Sequence, residues 1–89
     1  MKIHDLKCWP QYFEAILEGK KTFEVRYNDR GYEEGDVLLL QEYDMREMRY
    51  TGRSMKMLVG YILQSDVGVR PGWVAMTIIP TGNACLERR

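Results

Sequence analysis

One glycine, Gly19, separates two hydrophobic periods that cannot belong to the same element, and this break sets most of what the chain can become. Ahead of it Phe13, Ile16 and Leu17 lie at i, i+3 and i+4 with Tyr12 beside them, while Glu14 and Glu18 fall on the other side. That is the spacing of a helix with one buried face. Pro10 suits the first helical turn, where its missing N–H costs nothing, and Gly19 suits the left-handed position just past the helix end. The pattern predicts a helix over residues 10–18. From Thr22 the period falls to two, so Thr22, Glu24 and Arg26 share one face of a strand and Phe23, Val25 and Tyr27 share the other. This predicts a strand over residues 22–27 with its charged face outward and its apolar face in the core. Asn28, Asp29, Arg30 and Gly31 then supply turn chemistry, and Gly35 with Asp36 closes the reversal before the run Val37, Leu38, Leu39, Leu40.

The rest of the chain reads as strand. Residues 4–9 carry a short irregular strand signal, and residues 37–43 open on four consecutive apolar positions, as a strand buried on both faces does. Residues 44–52 are charged and fit a hairpin connection or a short irregular strand. Residues 55–63 alternate Met55, Met57, Val59, Tyr61 and Leu63 with Lys56, Leu58, Gly60 and Ile62, where Gly60 marks a bulge or a close approach. A loop with Gly68, Pro71 and Gly72 precedes a closing strand over residues 73–79, which Pro80 ends. Residues 81–89 read as a frayed tail, leaving residues 1–80 as one domain. The expected fold is α+β: a small, strongly curved sheet or open β-barrel of five to six strands with one N-terminal helix. Its expected core includes Phe13, Ile16, Leu17, Phe23, Val25, Leu38, Leu40, Val59, Tyr61 and Val74. The methionines Met45, Met48, Met55, Met57 and Met76 read as core filler.

At 89 residues there is room for one core and no second lobe. Formal charge is zero, yet residues 1–44 hold 6 Lys and Arg against 10 Asp and Glu, and residues 45–89 hold 7 against 3. Such a chain can present a local basic patch at a neutral balance, so bulk charge neither requires nor excludes nucleic acid. Cys8 and Cys85 are far apart and His4 is the sole histidine, so a zinc site of the usual Cys/His type cannot be assembled and no metal or other cofactor is expected. Cys8 reads as a buried packing thiol, Cys85 as an exposed tail residue, and His4 as a satisfied structural histidine. Neither a secretory leader nor a run of about 18 apolar residues is present, which points to the cytoplasm and away from a membrane.

Several short motifs together resemble a known group. The helix from Pro10, the run Gly19, Lys20, Lys21, Thr22, then Glu24 and Arg26, and Gly35-Asp36 ahead of an apolar strand are similar to the ASCH superfamily of PUA-like β-barrels. Within it the chain most resembles a small phage and bacterial family of unknown function, through His4-x-Leu6-Lys7, Asn28-Asp29-Arg30, Tyr50-Thr51-Gly52-Arg53 and Pro71-Gly72. The resemblance implies a barrel with a cleft beside the helix that binds RNA or a modified nucleoside. In one enzymatic branch a lysine, a threonine and a glutamate hydrolyse an acetyl group from a modified cytidine. The resemblance puts that lysine at Lys21 and the threonine position at Glu24, which has no hydroxyl, so no catalytic residue is assigned.

The expected binding residues are Lys20, Lys21, Glu24, Arg26, Asn28, Arg30, Tyr50 and Arg53. Lys21 and Arg26 suit a phosphate, and Glu24 suits a base amino group such as cytosine N4. The same residues also fit a helix C-terminus whose dipole two lysines complement, followed by a solvated strand face. Arg46, Arg49, Tyr50, Arg53 and Lys56 interleave cations with a ring, as single-stranded RNA binding requires, and equally suit a solvated loop. Asn28, Asp29 and Arg30 fit a turn as well as a ligand contact, and Trp9 and Trp73 fit either core cover or stacking surfaces at a cleft mouth. With one histidine the usual nucleophile–base pairs are nearly excluded. The leading expectation is therefore an RNA- or nucleotide-binding module, with a small amidohydrolase acting on a modified nucleoside, or a protein-interaction module, as alternatives.

Overall fold

A computed structural model describes residues 1–64, 68–82 and 86–87. The elements run β1 (Ile3–Cys8), α1 (Pro10–Leu17), β2 (Phe23–Tyr27), β3 (Val37–Asp44), β4 (Arg49–Gln64), β5 (Trp73–Pro80) and β6 (Leu86–Glu87). One curled half-barrel sheet with one short helix results, in strand order β1-β3-β4-β5-β2. β1 runs parallel to β3, and the other pairings along this path are antiparallel. Within the stretch read as a tail, β6 adds two residues against Arg53 and Ser54 of β4. Cys85 lies outside the described residues.

The helix ends as Gly19 predicts. Gly19 takes φ 76°, its N–H donates to the Ile16 carbonyl at 3.0 Å, and the Lys20 N–H donates to the Ala15 carbonyl at 2.9 Å. These two bonds make a Schellman stop, which turns the chain out of α1 toward β2. Phe13 and Ile16 bury the inner face of α1, with Leu17 packed at its margin. They share one buried core with Leu6, Leu38, Leu40, Met55, Met57, Val59, Val74, Met76 and Ile78 of the long strands. β3 is less buried than its four apolar residues predict, because Leu38 and Leu40 point inward while Val37 and Leu39 are only half covered.

Three expectations about burial are corrected. Phe23, Val25 and Tyr27 are exposed, and Glu24 is buried on the inner side. Register explains the reversal: Glu24 lies opposite Met76 and Arg26 opposite Val74, and directly opposed residues of an antiparallel pair share a face. The inward set of β5 thus draws Glu24 and Arg26 inward. Tyr61 is also exposed, because the β4–β5 register shifts between Val59 and Ile62, so Ile62 rather than Tyr61 packs against the core. Gly60 permits this bulge: a Cβ there would sit 2.5 Å from Thr77 Oγ1, the atom that accepts the Tyr61 N–H at 2.8 Å. Finally, Met45 and Met48 are exposed in the β3–β4 turn, where Asp44 Oδ1 accepts the Arg46 N–H at 2.9 Å, so only Met55, Met57 and Met76 of that set fill the core.

Among the described residues every buried side-chain polar atom has a partner. His4 Nε2 lies 2.8 Å from Asp36 Oδ2, under the Tyr32 ring at 4.7 Å between centroids. Asp36 also accepts the Lys2 N–H on Oδ1 and the Glu33 N–H on Oδ2, each at 3.0 Å. One carboxylate therefore clamps the N-terminus, β1 and the β2–β3 loop together.

Candidate functional site

β1 and β2 are the two ends of the strand order, so the curl brings two edges face to face without pairing them. A cleft of about 980 Å³ fills the seam, bordered by residues of β1, α1, β2 and the loop after it. Arg26 spans its floor, its Nη2 donating to the Lys7 carbonyl of β1 at 2.8 Å. A guanidinium thus stands where a neighbouring strand would otherwise satisfy that carbonyl.

Glu24 is the centre of the floor. Lys21 Nζ lies 2.5 Å from Oε1 and Arg26 Nε donates to Oε2 at 2.9 Å, with the Glu24 side chain 5% exposed. Burying a carboxylate is costly unless it is paired, and two cations with good geometry meet that requirement. Lys21 Nζ also donates to the Phe23 carbonyl at 2.7 Å, and the Schellman stop of α1 delivers Lys21 to this point. A carboxylate offers about four acceptor positions, so two cations leave acceptor capacity toward the cleft. Beside it, Cys8 is buried, and burial, reinforced by the charge of Glu24, pushes its thiol up to about 11. The wall at Cys8 is uncharged at neutral pH.

Aromatic rings frame the opening. Trp9 and Tyr12 stack nearly parallel at 5.9 Å between centroids on one side, and Tyr27 meets Trp73 edge-on at 5.9 Å on the other. Lys21 Nζ lies 5.2 Å from the Phe23 ring centroid and 5.6 Å from that of Tyr12, within cation–π range. Lys7, Lys20, Lys21, Arg26 and Arg30 border the cleft against the carboxylates of Glu24 and Asp29. The arrangement offers flat stacking surfaces, an excess of positive charge and one acceptor-only group at the bottom.

Of the residues expected from the sequence, Lys20, Lys21, Glu24, Arg26 and Arg30 border this one cleft. Lys20 is at its exposed margin, 3.3 Å from Glu18, and Arg30 lies 3.9 Å from Asp29. Asn28 is behind the wall, its N–H donating to the Gly72 carbonyl at 2.8 Å and its Oδ1 accepting the Tyr32 N–H at 3.0 Å. It shapes the loop. Tyr50 and Arg53 do not border the cleft. Arg53 grips Glu42 with Nε at 2.9 Å and Nη2 at 3.0 Å, and Glu14 with Nη2 at 2.7 Å, over the Phe13 ring at 4.8 Å. Trp9 and Trp73, which fit core cover as well as a cleft mouth, both border the cleft. Phe23 and Tyr27 were hidden by their assignment to the core, and Tyr12 and Lys7 carry no local signal, since only the curl of the sheet makes them neighbours of Glu24.

Among the described residues no cluster of His, Cys, Asp and Glu could hold a metal ion, and no helix is long and apolar enough to cross a membrane. Residues 3–78 match the pattern of a family described as a domain of unknown function, DUF3850. A relative from Escherichia phage P2, described as an uncharacterized 12.9 kDa protein in the GpA 3′ region, is 46% identical over 55 residues. That match covers 62% of this chain and 49% of the relative, so it spans about half the length of the phage protein.

Proposed function

Because the chain belongs to the DUF3850 family, a domain of unknown function, we propose its role from the cleft itself: it binds RNA or a nucleotide between the edges of an ASCH/PUA-like half-barrel. The observation that carries this reading is the buried Glu24 carboxylate, flanked by Lys21 and Arg26, at the floor of a seam rimmed by Trp9, Tyr12, Tyr27 and Trp73. A base stacks on the rings, its amino group donates to Glu24, and its phosphate meets Lys21 and Arg26. The volume is in the range of small-ligand sites, which supports a nucleotide-sized occupant. Arg26 acts as a latch that exchanges the Lys7 carbonyl for phosphate oxygen. A phage or bacterial cytoplasm is the setting in which such a module would meet RNA. A hydrolase reading has less support, because Glu24 stands where the resemblance requires a threonine hydroxyl.

Binding titrations of RNA at several salt concentrations test the proposal. Neutralising phosphates releases counterions, so affinity falls as salt rises, and Lys21→Ala or Arg26→Ala each flattens the slope by about one unit. Absence of binding to both single-stranded and structured RNA pools at low salt, at roughly 10⁻⁴ M folded protein, would rule it out.

A further inference from the structure

We infer that the cleft is the first stop on a longer path, and that the ligand is a single-stranded nucleic acid segment whose next base stacks on the Tyr43–Tyr50 pair; this rests on the reading above. Lys7 joins the two places. Its carbonyl faces the seam and holds Arg26 at 2.8 Å, while its side chain belongs to the outward face of β1 and carries Nζ to 4.2 Å from the Tyr43 ring centroid. Tyr43 and Tyr50 are direct cross-strand partners, with ring centroids 5.1 Å apart and planes inclined at 75°. The β3–β4 register shifts between Gln41 and Tyr43, and such a bulge re-aims the side chains that follow it.

Tyr50 is 48% exposed, so its ring is open to a partner. Arg49 beside it pairs with Glu47, both well exposed, and an exposed pair of this kind exchanges readily for a phosphate. Tyr50 lies two strands from β1 in the sheet, about 10 Å from the seam at ordinary strand spacing. A strand leaving the cleft thus meets Lys7, then the tyrosine pair, then Arg49. Alternating cations and rings are what sequence-tolerant single-strand binding uses, because every base has a stackable face and every linkage a charge. A free nucleotide has no use for the outer platform.

The test compares cytidine monophosphate with a short and a longer oligocytidylate, each titrated into wild type, Tyr50→Ala, Tyr50→Phe, Lys7→Ala and Arg26→Ala. The wild type binds the longer oligocytidylate at least about tenfold more tightly than the monophosphate, as one added stacking contact provides. Tyr50→Ala and Lys7→Ala lower that ratio by about fivefold or more, Tyr50→Phe keeps it, and Arg26→Ala weakens both probes. A matched oligodeoxycytidylate identifies the source: equal gain means the path reads bases and phosphates alone, and a smaller gain means it also uses the 2′-hydroxyl. If the monophosphate binds but length adds nothing, or if Tyr50→Ala leaves the ratio intact or weakens both probes equally, the path is wrong and the cleft stands. If no probe binds, both readings fall.

Discussion

Glu24 illustrates how one residue serves fold and site at once. Its side chain has almost no contact with solvent, yet it lies under an open seam, because Lys21 and Arg26 close over it from either side. Two cations around one carboxylate leave a net positive charge, which suits an anionic ligand while keeping an acceptor at the bottom. Substitution separates these roles. Glu24→Ala costs about 1–3 kcal/mol in urea unfolding, because it removes charged hydrogen bonds, although Lys21 and Arg26 can turn toward water. Glu24→Gln costs less and changes preference instead, since an amide presents a donor beside its acceptor. Titration with cytidine, adenosine, guanosine and uridine monophosphates should show the bases reordered more than weakened. Parallel losses for all four would mean that Glu24 only holds the cations in place.

At the scale of elements, Arg53 fastens α1 to the sheet. It binds Glu14 on the helix and Glu42 on β3, and Thr51 Oγ1 donates to the same Glu42 at 2.6 Å. The Arg53 hydrogen bonds hold the buried Glu42 carboxyl below its usual range against the upward pull of burial, and Thr51 adds to the effect. Removing the guanidinium leaves that charge uncompensated. Arg53→Ala should therefore lower stability by about 3 kcal/mol in urea unfolding, and adding Glu42→Gln should restore more than half of the loss. A loss below about 0.5 kcal/mol would make the link an ordinary surface pair. The basic segment around Tyr50 shows where sequence reading stops. Arg53, Arg49 and Arg46 look alike in the chain, but of the three Arg53 is the one that meets a buried carboxylate, Glu42, and that follows from register between β3 and β4. α1 was legible because Pro10, the 3.6-residue period and Gly19 are local signals. The two faces of β2 were also legible as a pair, one charged and one apolar. Which of them points inward was not, since Val74 and Met76, about fifty residues later in the chain, decide it.

Across the whole molecule, stability at low pH depends on the Asp36 clamp. Burial raises the pKa of this carboxyl, but hydrogen bonds from His4 and from the Lys2 and Glu33 N–H groups outweigh it and bring it to about 2, below the ordinary 3.8. The sign follows from linkage. A carboxyl held low in the folded state stabilises fully above its unfolded pKa, and that contribution disappears as pH falls through the folded value. The contribution is thus intact above pH about 4 and gone once pH falls below about 2. Glu42 acts in the same direction, so wild type should lose urea resistance across this window. Asp36→Asn should be less stable at neutral pH by about 2–3 kcal/mol, because it gives up charged hydrogen bonds to three segments, and it should show a shallower acid limb. An acid limb as steep as that of wild type would show that the pH dependence lies elsewhere. The clamp also bears on the cleft. Asp36 fixes β1 and the β2–β3 loop, which carry Lys7 and Arg30 to the cleft. Loosening it should therefore weaken RNA binding at neutral pH in the folded protein. Lys21 and Arg26 lie on the other edge, and their contribution to the salt slope should persist in Asp36→Asn, a combination that a global loss of structure would not produce.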